Sequence, residues 1–179
     1  MSEPVRVQRV PETWPIVHLE SSIPDWDALW IDGHVTHPRR FTLDDLAALG
    51  AEDQTIDFHC VWGWSRPAER WTGVALGTVL DVVSVTGAYA TVHSSSDAYS
   101  SCLPVEQARR GFLAWSRDGT TLEAEQGGPL RFVPPPELWA YKGVKWASRV
   151  TVGDRFTPGF WESRIGDPVG TIPEEVVLP

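Results

Sequence analysis

The sequence is poor in cysteine and lacks the short motifs that identify many enzyme classes. Its two cysteines, Cys60 and Cys102, allow at most one disulfide, and in a reducing cytosol both are expected to be free thiols. There is no CxxC or HExxH pair, so a zinc site built from protein ligands alone is disfavoured. The chain also has no GxSxG, no P-loop and no GxGxxG after a strand, which leaves serine-hydrolase and nucleotide-binding chemistry without direct support.

Positive charge is also scarce. The 15 Lys and Arg are outnumbered by 24 Asp and Glu, and the formal net charge of −9 disfavours nucleic acid or an anionic membrane as a partner. No apolar run reaches transmembrane length, so no membrane span is expected. Residues 1–6 contain neither the hydrophobic stretch of a signal peptide nor a twin-arginine pair, and we therefore expect a cytoplasmic location.

Tryptophan, glycine and proline are abundant instead. Fifteen Gly and fifteen Pro are spread along the chain, which favours a fold rich in strands and loops. Ten Trp are compatible with two arrangements, a Trp-lined cleft for a large ligand or a Trp-rich core in a β-protein.

Short helices and strands are predicted to alternate. Residues 42–50 predict a helix with Thr42 as N-cap and Gly50 at its end, and residues 75–83 predict a second, amphipathic helix. Asp32-Gly33 predicts a two-residue hairpin turn within residues 30–35. Further strands are expected over residues 88–93, 111–116, 130–133 and 144–152. This order predicts a single α+β domain over residues 1–179, with a core at about 15–165 and a loop-like tail at 166–179.

Cys60 lies near the end of a predicted strand that runs into a glycine-containing turn, residues 55–64. Strict alternation predicts that Ile56, Phe58, Cys60 and Trp62 share one face, with Asp57, His59 and Val61 on the other. A lone cysteine on an apolar strand face is most often a small buried hydrophobe. A thiol at the end of a strand can also serve as a fixed soft ligand or as a nucleophile, and this segment alone leaves both roles open.

Basic residues are concentrated late in the chain. Between Arg131 and Arg164 there are six basic residues against three acidic ones. Gly127-Gly128 precedes Arg131, and Gly143 precedes Lys145, so glycine lies beside a cation twice within a short stretch. Such pairs suit a phosphate, because glycine lets backbone N–H groups approach an anion closely. Pairing with the acidic remainder of the surface is the alternative.

Several of these segments resemble the sulfite oxidase family. The similar segments are Phe58–Trp64, Trp71–Leu76, Gly127–Pro134, Gly143–Trp146 and Pro158–Glu162. They run in the family's order from about residue 15 to about residue 162, and they are most similar to the branch of the bacterial protein-methionine-sulfoxide reductase. The resemblance implies a sulfite-oxidase-type molybdopterin-binding fold, with mixed β-sheets and short helices, and a molybdenum–molybdopterin cofactor.

The resemblance also implies roles for individual residues. Cys60 matches the thiolate that binds molybdenum, and a soft thiolate suits such a metal. The positions that match contacts to the pterin or its phosphate are His18, Ser95, Gln126, Arg131, Gly143, Val144 and Lys145. Candidates for the catalytic substrate pocket are His59, Arg66 and Tyr99, with Trp62 beside them.

The sequence departs from the family around the substrate. Sulfite oxidases carry arginines directly after the metal-binding cysteine, whereas Arg66 lies nearby but out of register, and Trp62 replaces an acidic residue of the sulfoxide-reductase branch. We therefore expect an oxidoreductase that transfers an oxygen atom to or from a small sulfite-type, S-oxide or N-oxide substrate. No haem or dimerisation domain is expected, so electrons would pass through an external carrier.

Two other classes of protein stay open at this stage. One is a non-catalytic, Trp-rich module that binds an anion or a pterin and does not depend on Cys60. The other is a metal-free thiol redox protein, in which Cys60 would have a lowered pKa and react rapidly with alkylating reagents.

Overall fold

The computed structural model describes residues 8–16, 22–96, 99–176 and 178 of the chain. In these ranges ten strands form two five-stranded sheets, connected by four short α-helices and two 3-10 helices. The strands are β1 (Leu29–Gly33), β2 (Arg39–Phe41), β3 (Glu52–Cys60), β4 (Trp64–Ala75), β5 (Tyr89–Ser94), β6 (Ser100–Pro104), β7 (Phe112–Arg117), β8 (Thr120–Thr121), β9 (Arg131–Val133) and β10 (Ala147–Gly153). The helices are α1 (Leu43–Ala48), α2 (Leu76–Val83), α3 (Val105–Ala108) and α4 (Glu162–Ile165), and the 3-10 turns are Ala124–Gln126 and Ala140–Lys142.

Both helices predicted from capping and periodicity are confirmed. Thr42 caps α1, because its hydroxyl accepts from the Asp45 amide at 3.2 Å while the Asp45 carboxylate accepts from the Thr42 amide at 2.9 Å. These hydrogen bonds from Thr42, backbone first, lower the pKa of Asp45. Helix α2 buries one face in the core, and that face carries the predicted residues Leu76, Val79, Leu80 and Val83.

The first sheet has the order β2-β1-β10-β5-β6. Strands β1 and β10 pair in parallel, and all other neighbouring strands of this sheet are antiparallel. The predicted Asp32-Gly33 hairpin is wrong, because both residues still belong to β1 and pair with β10. Gly33 has φ +84°, and a Cβ there would lie 2.1 Å from the Val152 carbonyl oxygen. This glycine therefore permits a close contact between distant strands, a partnership that the local sequence cannot reveal.

The second sheet has the order β3-β4-β7-β8, with β9 on β7. The β3–β4 register shifts between Ile56 and Phe58, where Ala68 has φ +54° and its amide donates to the Asp57 carboxylate at 2.8 Å. Phe58 and His59 are both buried, since a parallel bridge to Trp139 covers the His59 side of the strand end. His59 is therefore buried as well, although alternation places it on the face opposite Phe58 and Cys60.

Strand β10 begins later than predicted. Trp146 has φ +49° and the register with β5 shifts between Ala147 and Arg149, so the regular strand starts only at Ala147. Trp146 and Ala147 are consecutive and both buried, so side chains do not alternate regularly at this end of the strand predicted over residues 144–152. The Trp146 indole N–H donates to the Ala124 carbonyl at 2.8 Å, so the irregular backbone turns this ring toward the Gly127 turn.

A buried ion pair ties helix α4 to the 3-10 turn at 140–142 and to strand β6. The Lys142 ammonium bonds to the Glu162 carboxylate, and each side chain is 1% exposed. Glu162 also accepts from the Ser101 hydroxyl at 2.9 Å, the Cys102 amide at 2.9 Å and the Gly159 amide at 2.6 Å. Burial lowers the pKa of Lys142, and the hydrogen bond to Glu162 opposes that shift.

The described residues after Ile165 are mainly loop, and hydrogen bonds fasten them to the domain. The Tyr141 hydroxyl donates to the Asp167 carbonyl at 2.6 Å, and the Trp139 amide donates to the Gly170 carbonyl at 2.8 Å. Across the described ranges, no helix combines the length and the apolar character needed to cross a bilayer.

Replacing Lys142 with methionine is expected to lower the free energy of unfolding by about 3–5 kcal/mol, because Glu162 is left as a buried charge without its cation. Urea denaturation measures this. Arg149→Met breaks a more exposed pair with Asp32 and serves as control, with an expected loss below about 1 kcal/mol. Equal losses in the two variants would contradict a structural role for the buried pair.

Candidate functional site

One cleft gathers residues from both sheets, the 3-10 turn at 140–142 and the segment at helix α4. Its open volume, including the solvent at its mouth, is about 880 Å³. The lining residues are Trp14, Pro15, Phe58, Cys60, Val61, Trp62, Trp64, Ser94, Tyr99, Arg131, Ala140, Tyr141, Gly143, Lys145, Trp146, Trp161 and Ile165. Five of the sequence-predicted site residues are in this lining, namely Cys60, Tyr99, Arg131, Gly143 and Lys145.

Cys60 ends β3 and lies in the cleft wall, partly buried and not joined in a disulfide. The turn after it is tight, since the Gly63 amide donates to the Cys60 carbonyl at 3.0 Å and Gly63 has φ +84°. Cys60 pairs with Trp64 across the hairpin, which fixes the backbone position of the cysteine. Cys102 is fully buried, and its sulfur accepts from the Thr157 amide at 3.5 Å. The two cysteines therefore occupy different environments, and it is Cys60 that lines the cleft.

Arg131 is a buried cation at the start of β9, only 6% exposed. One of its Nη atoms donates to the Gln126 carbonyl at 2.7 Å, whereas its buried Nε has no hydrogen-bond partner among the described residues. Within the described part of the chain no carboxylate lies at ion-pair distance from it, and burial lowers its pKa to about 10. A desolvated guanidinium with an unused N–H suits an oxyanion such as phosphate.

Aromatic rings surround this arginine. Its guanidinium lies 5.1 Å from the Phe58 ring, 5.6 Å from Trp14 and 5.9 Å from Trp71. Trp14 contacts Phe58, Trp64 and Trp71 at centroid distances of 5.4, 6.4 and 5.6 Å. The N-terminal segment thereby covers the arginine, and the ring faces stabilise its charge.

Lys145 and Gly143 form another part of the cleft wall, and Gly127 packs against the Lys145 side chain. The Lys145 ammonium donates to the Glu125 carbonyl at 3.1 Å. Gly127 has φ +97°, and a Cβ there would lie 2.7 Å from Cγ of Lys145. A Cβ at Gly143 would lie 3.0 Å from the Phe132 carbonyl oxygen, so bulk is excluded at that position too. These close approaches bring Lys145 and the Gly127 turn together, as a phosphate cradle requires.

Val144 lies in the core and outside the cleft lining. Its amide donates to the Phe132 carbonyl at 3.0 Å, and its carbonyl accepts from the Phe132 amide at 2.8 Å. Both backbone groups of Val144 are therefore bonded to Phe132 and not directed at a ligand in the cleft. The part of the predicted cradle that borders the cleft is therefore Gly143 and the Lys145 side chain.

The serine run lies beside the cleft, with Ser94 in its lining. Ser95, the residue predicted from the sequence, donates its amide to the Trp146 carbonyl at 2.8 Å, and its hydroxyl is buried without a partner among the described residues. Tyr99 lines the cleft, and its hydroxyl donates to the Tyr141 carbonyl at 2.5 Å. Burial raises the pKa of Tyr141, whose own hydroxyl donates to Asp167.

Three other predicted residues lie outside the lining. His59 is buried on the far side of β3, where its Nδ1 hydrogen bonds with the Ser65 hydroxyl at 2.7 Å, and burial lowers its pKa. Arg66 bonds to the Glu69 carboxylate at 2.6 Å and to the Pro11 carbonyl at 3.0 Å. Gln126 contributes its carbonyl to Arg131. The proposed position His18 lies outside the described residues.

The aromatic lining is what residue-by-residue reasoning missed. Trp14, Phe58, Trp64, Trp146 and Trp161 all border the cleft. Their signal in the sequence was the high tryptophan content, which predicted a Trp-lined cleft as one of two arrangements but could not say which rings form it.

The donor set fits a metal that arrives with ligands of its own. Among the described residues there is no group of three or more His, Cys, Asp or Glu that could hold a bare ion. Cys60 contributes one soft ligand, and Arg131 and Lys145 lie in the same cleft for an anionic group. The residues present therefore fit a molybdopterin with its phosphate.

Sequence comparison identifies the proteins to which this chain is similar. A family model described as the oxidoreductase molybdopterin binding domain matches residues 16–161. The uncharacterized oxidoreductase YuiH of Bacillus subtilis (strain 168) is 30% identical over 164 residues, covering 87% of this chain and 81% of YuiH. The putative protein-methionine-sulfoxide reductase subunit YedZ1 of Azospira oryzae is 32% identical over 139 residues, covering 76% of this chain and 52% of that protein.

Structural comparison agrees. The fold is similar to that of the sulfane dehydrogenase SoxCD from Paracoccus pantotrophus, with a TM-score of 0.66 and 24% sequence identity. The match covers 78% of this chain and 41% of that chain. The molybdopterin-binding fold expected from the sequence is thereby confirmed.

Inorganic phosphate is expected to stabilise the cofactor-free protein through Arg131. At ten times its Kd the gain in unfolding free energy would be about 1.4 kcal/mol, as mass action requires. Arg131→Met is expected to abolish the gain, while Arg155→Met, at an exposed position, keeps it. Thermal unfolding across a phosphate series at constant ionic strength measures the effect. An unchanged gain in Arg131→Met would show that phosphate binds elsewhere.

Proposed function

Since the chain belongs to the oxidoreductase molybdopterin binding domain family, we propose that it is a molybdenum-cofactor-dependent oxidoreductase that transfers an oxygen atom to or from a small substrate. The observation that carries this proposal is that one cleft holds both the Cys60 thiol and the buried cation of Arg131, which forms no ion pair with a described carboxylate. A soft thiolate and an anion site in one cleft are what a metal-bearing pterin phosphate needs.

Each part of the cleft has its own task in this proposal. Cys60 is the metal ligand, held in direction by the tight turn at Gly63. Arg131 and Lys145 bind the phosphate and the pterin, and Gly143 leaves room for the cofactor because it has no side chain. The Ser94 and Ser95 hydroxyls provide polar contacts. When bound, the cofactor supplies two-electron oxygen-atom transfer. The chain binds the cofactor, orients the substrate and excludes water.

The three catalytic candidates besides Cys60 receive different roles. Tyr99 is the one that borders the cleft, so we propose that it contacts the substrate or the cofactor. His59, bonded to Ser65, positions the end of β3 from the side that faces away from the cleft. Arg66, bonded to Glu69 and Pro11, holds the N-terminal segment in place.

The substrate is proposed to be a small sulfur or nitrogen oxide or a sulfite-type oxyanion. In the reducing direction the substrate loses its oxygen, two protons and two electrons are consumed, and water is released; oxidation is the reverse. An external carrier would exchange the electrons. Sulfur chemistry is favoured because one relative is named a protein-methionine-sulfoxide reductase subunit and the similar structure is a sulfane dehydrogenase.

Protein produced with molybdate is expected to contain about one molybdenum per chain, as a site with one protein thiolate implies. Cys60→Ser is expected to lose most of the metal, because serine offers a hard ligand in place of a soft one. Cys102→Ser is the matched control, since it removes a thiol outside the cleft. Elemental analysis and the visible charge-transfer absorption of the metal–sulfur centre report the result.

The other outcomes separate the rival functions. Pterin bound without metal, and retained in Cys60→Ser, would indicate a non-catalytic binding module. Metal-free protein with a rapidly alkylated Cys60 would indicate a thiol redox protein. Full molybdenum occupancy in Cys60→Ser would contradict a thiolate-anchored centre.

A further inference from the structure

Two tryptophans stand together at the outer edge of the cleft. Trp62 is 57% exposed, although it belongs to the turn between β3 and β4 that directly follows Cys60. Trp161 comes from the segment just before α4, about a hundred residues later in the chain. Their ring centroids are 6.1 Å apart at an interplanar angle of 88°, and both rings line the cleft. Arg131 by contrast is 6% exposed, so the tryptophans lie at the mouth and the arginine lies deep.

Each of the two rings is held in place. The turn that carries Trp62 is fastened on both sides, since the Gly63 amide donates to Cys60 and the Gly63 carbonyl accepts from the Arg9 amide at 3.1 Å. Trp161 packs edge-on against Phe160 at 5.1 Å and precedes Glu162, the acidic member of the buried ion pair. An exposed aromatic pair supported in this way is preorganised to bind a ligand.

The charges around the mouth decide which ligand fits. Among the described lining residues the cations are Arg131, which is deep, and Lys145, whose ammonium bonds to the Glu125 carbonyl. Arg66 is occupied by Glu69 on β4. Arg164 stacks on the Phe160 ring at 3.7 Å and donates to the Phe160 carbonyl at 2.7 Å. A doubly charged oxyanion would therefore meet an apolar entrance, formed by Val61, Trp62, Trp161 and Ile165.

We propose that Trp62 and Trp161 form an aromatic clamp that selects uncharged sulfoxides carrying a flat apolar substituent, over sulfite and over dimethyl sulfoxide. The substituent packs against the two rings, gaining burial and edge-to-face contact, and the S=O group points inward toward the proposed metal site at Cys60. This inference rests on the proposed function. In the reaction the S–O bond breaks, sulfur gains two electrons from the external carrier, two protons are taken up and the oxygen leaves as water.

The test compares methyl p-tolyl sulfoxide with dimethyl sulfoxide on the molybdenum-loaded enzyme, with reduced benzyl viologen as electron donor. Trp62→Ala and Trp161→Ala are each expected to raise the KM for the tolyl substrate about three- to tenfold, the effect of losing one aromatic contact with its burial, with a smaller change for dimethyl sulfoxide. Trp30→Ala is the matched control, because Trp30 is 49% exposed on β1 and lies outside the cleft lining.

A second readout does not depend on turnover. Saturation-transfer NMR on the resting enzyme, without reductant, gives the Kd of the tolyl compound from its ring protons. This Kd is expected to rise in Trp62→Ala and Trp161→Ala by the same factor as KM, and to stay unchanged in Trp30→Ala. Molybdenum content is measured for every variant and is expected to equal that of the wild type.

The outcomes separate the clamp from the proposed function. Loaded enzyme that reduces both sulfoxides with the same KM, or clamp variants no weaker than Trp30→Ala, would overturn the clamp while the oxygen-transfer function stands. Tolyl binding that depends on both tryptophans but gives no reduction would support the clamp and count against oxygen transfer. Loss of molybdenum from the clamp variants would assign the rings to the cofactor instead. Sulfite that displaces the tolyl compound in the NMR measurement at a lower concentration than dimethyl sulfoxide does would also overturn the inference.

Discussion

The buried pair between Lys142 and Glu162 is the interaction on which the cleft most depends. It joins the 3-10 turn at 140–142 to helix α4, and through the Ser101 and Cys102 donors it joins both to strand β6. Residues near the pair in sequence line the cleft, namely Tyr141 and Gly143 beside Lys142, and Trp161 and Ile165 near Glu162. Two charges removed from water are tolerated only where hydrogen bonds satisfy them, which restricts the two segments to one mutual arrangement.

The second constraint is the buried cation of Arg131. Unlike Lys142, it forms no ion pair with a carboxylate among the described residues. Arg131 is desolvated by Trp14, Phe58 and Trp71, and its pKa falls to about 10 as a result. Such a group costs stability until an anion arrives. We propose that this anion is the pterin phosphate, so that the aromatic cover over the arginine and the cofactor would stabilise each other. The cleft is polar and cationic at depth and apolar at its mouth.

Much of the fold followed from local patterns. The cap at Thr42, the buried face of α2 and the strand that ends at Cys60 all depend on neighbouring residues, and each was predictable. The Asp32-Gly33 segment was predicted wrongly because its glycine allows a close contact with Val152, far along the chain.

The predicted site residues also fall into two groups. Cys60, Tyr99, Arg131, Gly143 and Lys145 line one cleft, whereas His59, Arg66 and Val144 are engaged elsewhere. Their roles as site residues remain proposals.

The sequence by itself determined the family, the fold class, the thiol at a strand end and the basic, glycine-rich segment that suits a phosphate. These features are written in residue type, order and short spacing. The tertiary structure alone decided which cations face the cleft, which rings cover Arg131, and that Trp62 and Trp161 meet at its mouth. The physical reason is that burial and pairing depend on sheet register and on ion pairs between distant segments. A one-residue shift at a bulge, as between Ile56 and Phe58, changes which side chains are covered, and no local pattern encodes it.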